Sequence, residues 1–142
     1  MLVRLLYASR ASGPMSASLV DSILEHSRKN NPAQGITGVL CFSDDLFIQA
    51  LEGGRDEVCE LYNAIVRDDR HNHVRILSFE EISERRFGSW TMGYVNVAKV
   101  NPALLLKYAK MPVLNPFNCS GSASLALLDE LIATAAVMNR GG

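Results

Sequence analysis

A primary amide stands where a strand would ordinarily carry a branched aliphatic. Across Leu46 to Glu52, period-2 alternation sets Phe47, Gln49 and Leu51 on one face, so Gln49 is embedded between two large apolar side chains. Val or Ile would serve stability better there. Burying a carboxamide without partners costs about 1–3 kcal/mol, so the fold must bring it something to bond. Tyr7, in the apolar run Leu2 to Ala8, carries a phenol that can both donate and accept. A phenol beside an amide exchanges protons and hydrogen bonds. Gln has two donors and two lone pairs, so one tyrosine leaves it in need of a further partner. A self-contained Tyr–Gln pair inside a core would use the same residues.

Other residues of chemical interest lie at element ends. Asn30-Asn31 close a helical pattern, and read equally as C-capping and turn residues. Asp68-x-Arg70-His71 follows a second helical pattern, where a solvated cationic terminus is the alternative. No catalytic set accompanies them. His26 lies in a helix and His71 and His73 in one short loop, without metal-ligand spacing, and there is no phosphate loop, GxSxG or paired-carboxylate signature. An enzyme and a metal site are therefore not expected.

The elements that must position these residues follow from periodicity. Leu2–Ala8 reads as a first strand. Ser16 or Ser18 caps a helix carrying Leu19, Val20, Ile23, Leu24 and Ser27, expected to stop near Asn30 because Asn31 precedes Pro32. Gly35–Phe42 and Leu46–Glu52 form a strand pair around Ser43-Asp44-Asp45, with Ile36, Gly38, Leu40 and Phe42 on one face of the first strand. Gly53-Gly54 breaks the pattern, and a second helix begins with Asp56 and Glu57 where the macrodipole favours them. Its stripe is Val58, Leu61, Tyr62, Ile65 and Val66. Val74–Ile82 is a fourth strand and Trp90–Val97 a fifth, at the sheet edge. This order predicts an α+β fold, a ferredoxin-like βαββαβ sandwich with two helices on one sheet face and an added fifth strand. The first and third strands are expected as parallel neighbours at the sheet centre, which sets Tyr7 beside Gln49 under the helices. From Asn101 the character changes to two C-terminal helices, Ala103–Lys110 and Ser122–Asn139. The second has the stripe Leu125, Leu128, Ile132 and Ala135, which would pack on the open sheet face or on another subunit. Residues 1–100 form one expected unit and 101–142 its helical extension.

Composition narrows the function classes. Apolar residues are 48% and charged ones 20% of 142, an ordinary globular balance for one domain. A net charge of -1 gives no broad footprint for nucleic acid or an anionic membrane. The opening MLVRLLYASR is too short and too soon polar for a signal peptide, and no apolar run approaches a membrane span. Three widely spaced cysteines, Cys41, Cys59 and Cys119, suit a cytoplasmic protein with reduced thiols.

Taken together, Tyr7, Asn30-Asn31, Gly-Ile-Thr-Gly at 35–38, Phe47-x-Gln49-x-Leu51-Glu52-Gly53, Asp68-x-Arg70-His71 and Arg86-Phe87-x-x-Trp90-x-Met92 occur in the order and spacing of BLUF photoreceptor domains. Residues 1 to about 97 closely resemble that family, and the tail more loosely resembles its short stand-alone members. The resemblance implies a flavin between the two helices, FAD in most members, with FMN or riboflavin as alternatives. It implies Tyr7 and Gln49 as the hydrogen-bond switch, Asn31 and Arg70 on the polar ring edges, and Ile36 and Ile65 on the ring faces. Asn30, Asp68 and His71 join the binding set. Trp90 and Met92 are the pair of which one neighbours the glutamine, and a slide of their strand would carry the change to the tail. The chain ends before any recognisable output domain, so a downstream effector protein in trans, or a homo-oligomer, is expected to carry the signal. A ferredoxin-like regulatory module binding a small ligand without photochemistry is the alternative.

Overall fold

The computed structural model describes residues 1–89, 91–97, 100–113, 115–133 and 138–139. Strand β1 (Leu2–Ala11) is followed by α1 (Ala17–Gln34), the hairpin β2 (Thr37–Ser43) and β3 (Leu46–Gly54), and α2 (Arg55–Arg67). Then come β4 (His71–Ile82), β5 (Gly93–Asn96), α3 (Pro102–Tyr108), α4 (Gly121–Ala133) and β6 (Met138–Asn139). The sheet order is β4-β1-β3-β2-β5-β6.

The ferredoxin-like frame is as expected, but β1 and β3 are antiparallel neighbours, with Tyr7 directly opposite Gln49. The reason is topological. The two-residue turn at Asp44-Asp45 makes β2 and β3 antiparallel, and the α1 crossover returns β2 in the direction of β1. A strand inserted between them must oppose both. Asp44 takes the left-handed conformation in that turn (φ 52), which a short polar side chain tolerates. The sheet's one parallel pairing in the described residues is β2 with β5.

Several boundaries move, each for a local reason. Helix α1 runs through Asn31-Pro32 to Gln34. Pro32 lies in its last turn, where one missing donor is tolerated. Gly35 (φ 68) closes the helix with its N–H on the Asn31 and Pro32 carbonyls, followed by Ile36 N–H on Asn31 O at 3.0 Å. Ser16 caps its start by accepting from Leu19 N–H at 3.0 Å. In α2, Val58 is buried but Val66 is half exposed, because the stripe turns off the sheet in the last turn. β5 begins at Gly93, so Met92 sits in the bend before it, and Trp90 lies outside the described residues. β5 is not the edge. β6 pairs with it, so Met138-Asn139 belong to a strand rather than to the expected helix, and an otherwise open edge gains partners.

The sheet separates two cores. On one face, Val3, Leu5, Tyr7, Phe47 and Leu51 meet Val20, Leu24 and Val58 of α1 and α2. On the other, Leu6, Ala8, Val39, Cys41, Ile48 and Ala50 meet Leu105 of α3 and Leu127, Leu128 and Leu131 of α4. The tail thus covers its own sheet. Its buried stripe runs through Ser124, Leu127, Leu128 and Leu131, with Leu125 half-buried; the Ile132 side chain and Ala135 lie outside the described residues.

Candidate functional site

Opposition in the central ladder places Tyr7 and Gln49 side by side under α1 and α2, each only 3% exposed. The phenol donates to Gln49 Oε1. The amide's other end, Nε2, donates to Met92 Sδ at 3.4 Å. One acceptor and one donor of the glutamine are thereby used, the latter on a thioether, a weak acceptor. Burial, reinforced by the Asp68 carboxylate, pushes the Tyr7 phenol well above its ordinary pKa and keeps it protonated. The Tyr62 ring lies edge-on to it at 6.0 Å.

Above this chain lies a cavity of about 290 Å³ between α1 and α2. Tyr7, Gln49, Leu40 and Phe47 line it from the sheet, Ile23, His26 and Ser27 from α1, and Leu61, Ala64, Ile65 and Arg67 from α2. Asp68, Arg70 and His71 close its rim. The rim is tightly organised. Asp68 accepts from Arg70 Nε at 2.9 and 3.1 Å, from Nη2 at 2.5 Å and from the Arg70 backbone N–H at 2.9 Å. This holds the Asp68 carboxyl below the usual carboxylate range and raises the guanidinium. Arg70 Nη1 also donates to Ser22 Oγ on α1 at 2.8 Å, so one side chain ties the α2 end to α1. His71 Nε2 donates to Ile65 O at 2.9 Å, which leaves Nδ1 to accept from Ser9 Oγ at 2.8 Å. Burial lowers its pKa and favours this neutral form.

Of the residues expected at the site, Tyr7, Gln49, Ile65, Asp68, Arg70 and His71 line the cavity, and Met92 reaches Gln49. Ile36 is buried in the core beside it. Asn30 is exposed, its amide folded back onto His26 O of its own helix at 2.8 Å. Asn31, 2% exposed in the last turn of α1, keeps Nδ2 without a hydrogen-bond partner among the described residues. An orphaned buried donor is costly unless a ligand satisfies it. A flat, fused-ring group with polar edges fits the lining, which has apolar walls, a buried amide at the floor and a guanidinium at the rim; the unpaired Asn31 amide, at the end of α1, is not itself part of that lining. The sequence reading missed Ser9, Ser22, His26 and Ser27. Small polar residues on strand and helix surfaces carry no signal until the partner element is in place.

The sequence and fold are both similar to those of known proteins. Residues 2–93 match the family model for sensors of blue-light using FAD. Over 92 residues the chain is 38% identical to photoactivated adenylate cyclase subunit beta of Euglena gracilis, covering 64% of this chain and 11% of that one. It is 31% identical over 88 residues to the blue light- and temperature-regulated antirepressor BluF of Escherichia coli, covering 62% and 22%. The chain thus spans about a tenth of the cyclase subunit. Among solved structures, the photo-activated state of BlsA aligns with a TM-score of 0.81 at 32% identity over 93% of this chain and 95% of that one. The dark state of the BLUF protein BlrB aligns at 0.74 and 33%, over 94% and 96%.

Proposed function

Because this chain belongs to the BLUF family of flavin-binding blue-light sensors, we propose that it is a non-enzymatic photoreceptor whose switch is the buried chain Tyr7–Gln49–Met92. The observation that carries this reading is the glutamine itself, bonded by a phenol at one end and only a thioether at the other, on the floor of a cavity. FAD is the cofactor we assign, with Asn31 and Arg70 as donors to its polar edges and Ile65 and Ile36 against its ring. When bound, the flavin supplies blue absorption and an oxidising excited state that can draw on a neighbouring phenol.

What the chain contributes is a two-way amide. With Tyr7 protonated, its single O–H fixes Oε1 toward the phenol and turns Nε2 toward Met92. A Tyr7 without that proton could only accept, which would reverse the preference and favour a rotated amide with Nε2 toward the phenol and Oε1 toward Met92. Met92 then faces an acceptor instead of a donor, and its contact is lost. Met92 leads directly into β5, which is hydrogen-bonded to β2 and β6 and is followed by α3. We place the output there, read by an effector protein in trans or a second copy of the chain. No described helix is long and apolar enough to cross a membrane, and we place the receptor in the cytoplasm.

Absorption spectroscopy of the purified chain tests this. It should be yellow and shift reversibly to the red by several nanometres in blue light. A chain that stays colourless after incubation with FAD, or whose spectrum is unmoved by blue light, would instead be a small-ligand module without photochemistry.

A further inference from the structure

On β3, three positions beyond Gln49 and on the opposite face, stands a carboxylate with no exposure at all, Glu52. A charge so placed must be satisfied by fixed donors. Arg4 Nε supplies one at 2.8 Å. The others are backbone amides from a turn outside every helix and strand: Arg86 N–H at 3.0 Å to both oxygens, and Phe87 N–H at 2.6 Å. Arg85 adds a brace to the Glu52 carbonyl at 3.3 Å and to Thr37 Oγ1 at 2.9 Å. The Phe87 ring is wholly buried in the tail-side core.

Beyond this turn the described residues before Gly93 have no ladder partner, yet Met92, wholly buried, lies in the helix-side core at Gln49. The segment crosses from one face of the sheet to the other. Its first end is pinned at Glu52 and Phe87, and its second end is the thioether on the amide. Met92 is thus held between two anchors, the 85–87 turn on Glu52 and the β5 ladder that begins at Gly93. The turn also touches the tail, since Arg86 Nη1 donates to Asp129 Oδ2 of α4 at 2.9 Å.

We propose that Glu52 is a positioning residue for the switch, anchoring the 85–87 turn so that the segment beyond it holds Met92 against Gln49. This rests on the reading of Tyr7–Gln49–Met92 as the switch. The test uses the full, flavin-loaded chain with methyl-labelled methionine, comparing the Met92 methyl resonance and the dark-recovery rate in E52Q and E52D. Both variants weaken the amide anchor, the first by removing the charge and the second by shortening the reach. The expected result is a displaced or split Met92 resonance in the dark and recovery changed by about tenfold, the equivalent of one charge-assisted hydrogen bond. Folded variants with Met92 and recovery both unchanged would overturn it. Hydrogen exchange on the unsubstituted chain needs no variant to fold: the Arg86 and Phe87 amides should exchange far more slowly than those of Gly88 and Ser89, and equal rates would also overturn the anchor. Failure of the switch reading is separable. It would show as no red shift in the unsubstituted chain, with the Met92 resonance still displaced in E52Q and the two amides still protected.

Discussion

Tyr7 has one proton to donate, and Gln49 Oε1 receives it. Removing that proton by Tyr7→Phe should leave a flavin-loaded chain without the reversible red shift. Gln49→Leu should also lose it and start from an altered dark spectrum, because a buried donor is gone. Difference spectra before and after illumination decide both. Asn31→Ala deletes a donor for which the described residues supply no partner. It should weaken flavin binding by about 1–3 kcal/mol, read by equilibrium dialysis, while the flavin-free chain loses little stability. The rim sets the pH response. His71 is held below its ordinary 6.5 by burial, so the unfolded chain takes up a proton there that the folded chain resists. Stability should fall as pH drops from neutral through 6.5. Asp68 is held below 3.8 by Arg70, so its contribution persists above 3.8 and is lost only in stronger acid. Thermal melts of the chain and of His71→Gln between about pH 7 and pH 5 should show the slope flattened in the variant.

At the scale of elements, close approaches decide what the sheet tolerates. A Cβ on Gly38 would lie 2.1 Å from Ala50 O, so the β2–β3 ladder that carries Gln49 requires a glycine there. Gly121 is the same kind of position between α4 and β4, where an added Cβ would meet Leu77 O at 2.4 Å. Gly121→Ala should lift the start of α4 and cost about 1–3 kcal/mol in chemical denaturation, with the flavin spectrum unchanged because the cavity lies on the other face. A spectral change in that variant would show that α4 supports the cavity. The ion pairs around α4 act as guides more than as anchors. Arg86–Asp129 is half exposed, and Lys107 and Tyr108 meet at Glu130 beside solvent.

For the molecule as a whole, the sheet is a partition, with the cavity on the α1–α2 side and the tail on the other. Truncation after Val100 would strip α3 and α4 from Leu6, Ala8, Val39, Cys41, Ile48 and Ala50. An apolar sheet face of that kind seeks another partner. The truncated chain should therefore self-associate by light scattering yet keep its red shift, since every cavity residue precedes the cut. A monodisperse truncated monomer of unchanged stability would contradict this account of the tail.

The sequence by itself determined the alternation that turns Gln49 inward and the order of the seven elements from β1 to β5, because these rest on local spacing. Periodicity of two fixes a side chain's face wherever one face is buried, whatever lies beyond. It could not determine what meets that face. The antiparallel pairing of β1 with β3 followed from a crossover and a hairpin acting together. The run of α1 past Pro32 followed from Gly35 closing the turn. The choice of Met92 as the partner of Gln49, the Ser22 and Ser9 contacts at the rim, and the seating of two backbone amides on Glu52 depend on residues far apart in the chain. Such contacts are long-range hydrogen bonds, and their partners come within reach only once the sheet and both its covering layers are assembled.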